Sequence, residues 1–198
     1  MWEDKTIEPK YRYDLAVYIG RFQPFHYGHM KVLSWAENLA ERILLLVGSS
    51  NFERTLRNPW TFNERKKMIE LAITTSKFSD NLINRVTIEP INDYPNDDTK
   101  WLKIVTTKIL TFDIDIPKDR ICVLGSKRDD SCYYLDMLDK FNYYNIEPID
   151  ISGTQVREMY FNENKIWGVT PAVEDYLRNF SKEKIYETNE PAFSFRNG

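Results

Sequence analysis

Two hydrophobic patterns alternate along this chain. One is the short unbroken apolar run: Leu15-Ala16-Val17-Tyr18-Ile19, Ile43 to Val47, and Ile121 to Leu124. Runs of this length that stop at glycine, here Gly20, Gly48 and Gly125, read as strands buried on both faces. Arg85 to Glu89 reads as a further strand, and Tyr143 to Glu147 as a weaker one. The other pattern is the return of apolar residues every three or four positions, as at Met30, Leu33, Trp35-Ala36 and Leu39-Ala40. It predicts a helix there, and others over about 62–75, 99–110, 131–140 and 171–180. Thr61 with Glu64 forms a capping-box pattern, Ser152 is placed to cap a helix from near Thr154, and Pro171 suits a first turn. Strands alternating with helices predict an α/β fold, a Rossmann-like parallel sheet with helices on both faces. Its ligand would sit at the carboxyl ends of the strands. Residues 1–13 are expected to form a polar arm, 14–180 the domain, and 181–198 a tail or linker.

Composition narrows the function. The 198 residues carry a formal net charge of -3, which disfavours broad electrostatic binding of nucleic acid but leaves room for a local cationic site. The first residues lack the apolar core of a signal peptide, and no apolar run reaches membrane-spanning length. Cys122 and Cys132 fit no zinc or redox spacing and read as buried, inert thiols, in keeping with a cytoplasmic protein. Lys66-Lys67 and Asp97-Asp98 read as solvated faces.

The chemistry concentrates after the first strand. Both histidines of the chain lie in His26-Tyr27-Gly28-His29, at an expected helix start. A helix N-terminus offers free N–H groups and partial positive charge to an anion. Two imidazoles one turn apart can donate to phosphate oxygens, Gly28 leaves room for a phosphate, and Arg21 adds a bidentate donor. Neither the GxGxxG fingerprint nor the GxxxxGK loop is present, and the spacing is not that of a zinc protease. A metal site among the side chains is not expected.

His26-Tyr27-Gly28-His29 resembles the HxGH signature of the nucleotidylyltransferase superfamily, and Ile151-Ser152-Gly153-Thr154-Gln155-Val156-Arg157 resembles its ISxTxxR signature, about 125 positions later. Gly20 to His26 (GRFQPFH) and Arg57 to Arg65 look like the nicotinamide mononucleotide adenylyltransferases of the archaeal type. Arg128 to Leu135 looks like the bacterial and phage relatives that add a Nudix hydrolase domain. The relatives often have lysine at Arg128, and no Nudix motif occurs in these 198 residues. The resemblance spans about residues 13–180.

The resemblance implies transfer of AMP from ATP to nicotinamide mononucleotide, giving NAD and pyrophosphate, with Mg²⁺ carried by the ATP phosphates. It implies that His26, His29, Arg21 and Arg157 act on the phosphates. Gly20, Phe22, Gly28, Gly125, Arg128, Ser152 and Thr154 would line the ATP site, and Arg57, Asp93 and Trp101 the mononucleotide site. Trp101 also fits a core position, Asp93 a turn former and Arg57 a solvated loop charge. Nicotinic acid mononucleotide or phosphopantetheine as acceptor, and a non-catalytic NAD or ATP sensor, remain as rivals. A homo-oligomer is left open. No nucleic-acid or membrane partner is expected.

Overall fold

The computed structural model describes residues 10–78, 81–125, 134–147 and 150–186. Arg128, Cys132, most of the Arg128–Leu135 stretch, the first nine residues of the expected arm and residues 187–198 lie outside the described residues.

The apolar runs form five strands: β1 (Tyr13–Gly20), β2 (Ala40–Val47), β3 (Val86–Pro90), β4 (Ile121–Gly125) and β5 (Asn142–Asn145). They make one sheet in the order β3-β2-β1-β4-β5, and every pairing is parallel. The connections step outward from β1 through β2 to β3, then return to the other side of β1 for β4 and β5. The switch point therefore falls between β1 and β4, and the registers Gly20↔Val47 and Val47↔Pro90 bring the ends of β1, β2 and β3 level.

Alternate side chains of each strand enter different cores. Ala16, Ile43, Leu45, Val47, Cys122 and Leu124 pack beneath α1 (Tyr27–Leu39), α2 (Phe62–Thr74), α6 (Gly153–Asn162) and α7 (Pro171–Arg178). Leu15, Val17, Ile19, Leu44, Leu46 and Val123 pack beneath α4 (Asp98–Phe112) and α5 (Tyr134–Met137). That two-faced burial explains the unbroken runs. Cys122 is buried, and burial pushes its thiol up to about 12, so it stays an unreactive core group. No helix among the described residues is long and apolar enough to cross a membrane.

Several boundaries differ from the sequence expectation. β1 begins at Tyr13, whose ring is buried, so the folded region reaches into the expected arm. The short helix α3 (Leu82–Arg85) was not expected, because its single buried residue, Leu82, leaves no periodicity to read. The helix expected over 131–140 is, in its described part, one turn at Tyr134–Met137. Part of the polar tail is ordered as α8 (Glu183–Tyr186), anchored by the buried Ile185.

Leu44 is fully buried in a central strand. Leu44→Ala should lower unfolding free energy by about 2–5 kcal/mol, to be read from urea denaturation.

Candidate active site

The segment after β1 builds the site. Phe22 stands at φ 53, a left-handed conformation that is strained for a bulky residue, and its ring is buried over Gly20. A Cβ on Gly20 would lie 3.0 Å from that ring. Phe22 was expected beside ATP. Its side chain instead belongs to the core, where it meets Phe25 and the edge of His29 at a ring separation of 4.8 Å. The next residue, Gln23, is buried and pairs with Trp60 as a peptide would, its amide donating to Trp60 O at 2.8 Å and its Oε1 accepting from Trp60 N at 3.0 Å.

His26 caps α1. Its Nδ1 accepts from Gly28 N at 3.1 Å, while His29 Nδ1 accepts from His26 N at 3.2 Å. With both Nδ1 atoms accepting, a neutral ring carries its proton on Nε2, so each imidazole keeps one N–H donor. The rings stack at 3.7 Å. His29 is half-buried among Tyr18, Phe22, Phe25 and His26. Desolvation, and then the neighbouring His26, hold it well below the usual imidazole value, so it is neutral at pH 7. Within the protein itself, Gly28 makes room for the His26 ring. A Cβ there would lie 2.8 Å from His26 Cε1.

A second helix start abuts this one. Ser152 caps α6 in a reciprocal box with Gln155. A Cβ on Gly153 would sit 3.0 Å from Gln23 O and 3.3 Å from Arg157 Nη1, so glycine is required for α6 to close on the 23–28 segment. Arg157 is 4% exposed; Nη1 donates to Gln23 O at 2.8 Å and Nη2 to Thr154 Oγ1 at 3.1 Å. It was expected to grip phosphate directly. In the folded chain it also serves as a strut beneath the site, with its Nε buried and without a hydrogen-bond partner among the described residues. Thr154 is exposed in the first turn of α6.

Arginines crowd this corner. Burial, then the charges of Arg21 and Arg57, lower Arg157 to about 10. Burial and then Arg57 also lower Arg21, while Asp93 acts in the opposite direction. All remain cationic at neutral pH. Among the described residues the Arg21 and Arg57 guanidinium groups make no hydrogen bond, and these cations repel one another, offset in part by Asp93 near Arg21 and by Glu158 near Arg157. Such a cluster of cations makes the corner electrostatically favourable to an anion.

At the ends of β2 and β3, Ser49 holds φ 52, and its N–H and hydroxyl donate to the Asp93 carboxylate at 3.2 and 2.6 Å. Asp93 and Arg21 flank Gly48, at 3.8 and 3.9 Å from where its Cβ would stand. Sequence reasoning assigned no role to Arg65. It is 1% exposed and donates to Arg21 O at 2.7 Å and Gly48 O at 2.6 Å.

The structure thus brings together Arg21, His26, Gly28, His29, Ser152, Thr154, Arg157, Arg57 and Asp93. Gly125 ends the adjacent strand β4, but Leu135 fills the space beside it, 2.9 Å from where a Cβ would stand. Trp101, in the first turn of α4, packs against the core of the opposite sheet face. Gln23, Trp60, Arg65 and Gly153 were missed as contributors. Gln23, Trp60 and Arg65 lay inside the quoted motifs, but nothing in sequence marks a buried polar side chain. A groove of about 430 Å³ between α2 and α7, lined by Glu64, Asp175 and Lys184 among others, lies apart from these residues.

The depressed value of His29 has a consequence for stability. Below about pH 6.5 the unfolded chain takes up a proton that the folded one resists, so stability falls as pH falls through that value. Urea melts at neutral and mildly acidic pH should show a smaller acid loss in His29→Gln than in the parent. Gly153→Ala should weaken ATP binding by about tenfold or more, read by calorimetry, because α6 must withdraw from Gln23.

The cytidylyltransferase-like family matches residues 17–159. The nicotinamide/nicotinic acid mononucleotide adenylyltransferase of Acinetobacter baylyi is 31% identical over 180 residues, 89% of this chain and 92% of that protein. The nicotinamide-nucleotide adenylyltransferase of Sulfurisphaera tokodaii is 28% identical over 77% of this chain and 82% of its own. A bifunctional NMN adenylyltransferase/ADP ribose pyrophosphatase from Francisella tularensis superposes with a TM-score of 0.77 at 26% identity, covering 88% of this chain. This chain spans about half of that protein, 52% of its length. With a match over residues 17–159 and a relative 31% identical over 92% of its length, the chain belongs to the cytidylyltransferase-like family of nucleotidyltransferases.

Proposed function

We propose that this protein transfers the adenylyl group of ATP to a pyridine mononucleotide, with nicotinamide mononucleotide as the acceptor. The observation that carries the reading is the convergence of Arg21, Arg57 and Arg157, with Asp93 and Glu158 as counter-charges, on a corner where α1 and α6 begin and the imidazoles of His26 and His29 stack. The names of the Acinetobacter and Sulfurisphaera relatives support the acceptor class.

The triphosphate lies across the two helix starts. The 5′-phosphate of the mononucleotide attacks the α-phosphorus; a new P–O bond forms as the bond to the β-phosphate oxygen breaks, and pyrophosphate leaves. The protein aligns two anions that would otherwise repel, which can lower the barrier by up to ~7–11 kcal/mol. His29 and His26 donate to phosphate oxygens without a proton changing hands. Arg21 bridges the attacking phosphate and ATP, Arg57 closes the cluster from its exposed loop, and Arg157 adds charge from beneath. Ser152 and Thr154 present the first turn of α6 to the phosphates. We assign Asp93 and Trp101 to the mononucleotide, and Gly125 with Arg128 to the adenosine. The divalent cation enters with ATP as part of the substrate, with Mg²⁺ as the ion. A Francisella homologue complexed with AMP and a manganese ion agrees with divalent-metal use.

The direct test supplies ATP and Mg²⁺ with nicotinamide mononucleotide, nicotinic acid mononucleotide or phosphopantetheine, and measures dinucleotide and pyrophosphate. Release of NAD and pyrophosphate is expected with the first. Tight nucleotide binding without pyrophosphate would make the protein a sensor, and turnover only with phosphopantetheine would overturn the acceptor. His29→Ala should lower kcat by about 10²–10³-fold; turnover within a few-fold of the parent would remove His29 from the mechanism.

A further inference from the structure

Arg65, which none of the steps above uses, sits beside the ends of β1 and β2. Besides its bonds to Arg21 O and Gly48 O, its Nε donates to Thr61 O at 3.3 Å and its Nη2 to Ser49 O at 3.4 Å. One planar guanidinium therefore joins the chain after β1, the turn after β2 and the N-cap of α2. No carboxylate pairs with it directly among the described residues; Asp93 and Glu64 act on it only at longer range. Burial lowers it to about 10, leaving it charged at neutral pH.

Its partners are chosen in a way that plain packing does not require. Arg21 O fixes the main chain from which the unbonded Arg21 guanidinium projects. Ser49 O fixes a left-handed residue whose N–H and hydroxyl aim the Asp93 carboxylate. Asn51 extends the clamp, its side chain donating to Asp93 O at 3.1 Å and accepting from Asp93 N at 2.9 Å. The histidine pair and α6 are held separately, by Gln23, Trp60 and Arg157.

We infer that Arg65 is a positioning residue for the acceptor half of the site, setting Arg21 and Asp93 for the mononucleotide while leaving the triphosphate half to Arg157. This rests on the adenylyl-transfer reading. Lysine keeps the charge but loses the planar fork that reaches several carbonyls at once. Arg65→Lys should cut kcat/KM for the mononucleotide about 100-fold and raise its KM, while KM for ATP, whose binding Arg21 shares with the histidine pair and α6, rises by a much smaller factor. Arg65→Met should do the same more severely; if it does not fold, as judged by circular dichroism, Arg65→Lys alone decides. A folded variant with unchanged mononucleotide kinetics, or one in which both substrates weaken equally, overturns the inference. The parent is assayed alongside. If the parent turns over no mononucleotide, the functional reading has failed; calorimetry with nicotinamide mononucleotide and with ATP then judges Arg65, which is supported only if Arg65→Lys weakens the first by a much larger factor than the second.

Discussion

The structure depends on two buried arginines that bond to main-chain carbonyls. Arg65 takes Arg21 O and Gly48 O, and Arg157 takes Gln23 O. Between them lies a segment that leaves a sheet, passes through a left-handed Phe22 and starts a helix within a few residues. Its carbonyls turn inward where water does not reach, and a buried carbonyl without a donor costs about 1–3 kcal/mol. Guanidinium groups suit the task because one planar fork serves several acceptors whose geometry does not match a helix or a ladder. Removing Arg65 would release the main chain that carries Arg21, and removing Arg157 the segment that leads to the imidazoles.

This choice of struts has an electrostatic consequence. Cations that hold the loop from beneath add to those that face outward, and the corner acquires more positive charge than Asp93 offsets. A protein selected for stability alone would place carboxylates there. Keeping His29 neutral limits the repulsion while leaving an N–H donor, so part of the phosphate binding comes from hydrogen bonds that add no charge. Strain at Ser49 and Phe22, of order 1–3 kcal/mol each, is held in the same corner.

The sheet was legible because parallel strands buried on both faces leave unbroken apolar runs, and the helix caps were legible because Thr61 and Ser152 act locally. The histidine pair was legible for the same reason. What stayed hidden is tertiary. Gly20, Gly28 and Gly125 suggested open ground for a ligand, yet each makes room for a side chain of the protein: Phe22, His26 and Leu135. Arg157 read as a phosphate grip, and its further part as a strut was hidden because it depends on Gln23, far away in sequence. Arg65 and Gln23 were visible as motif letters without a role. Burial of a polar residue has no periodicity, so only the assembled loops reveal it.

The central claim is that polyphosphate lies across the starts of α1 and α6. The measurement that meets it most directly is a crystal structure with an unreactive ATP analogue and Mg²⁺. The account predicts phosphate oxygens about 3 Å from Nε2 of His26 and His29 and from the first N–H groups of α6, with Arg21 turned toward the α-phosphate. Phosphates bound elsewhere, as in the groove between α2 and α7, or an analogue held without contact to either imidazole, would contradict it.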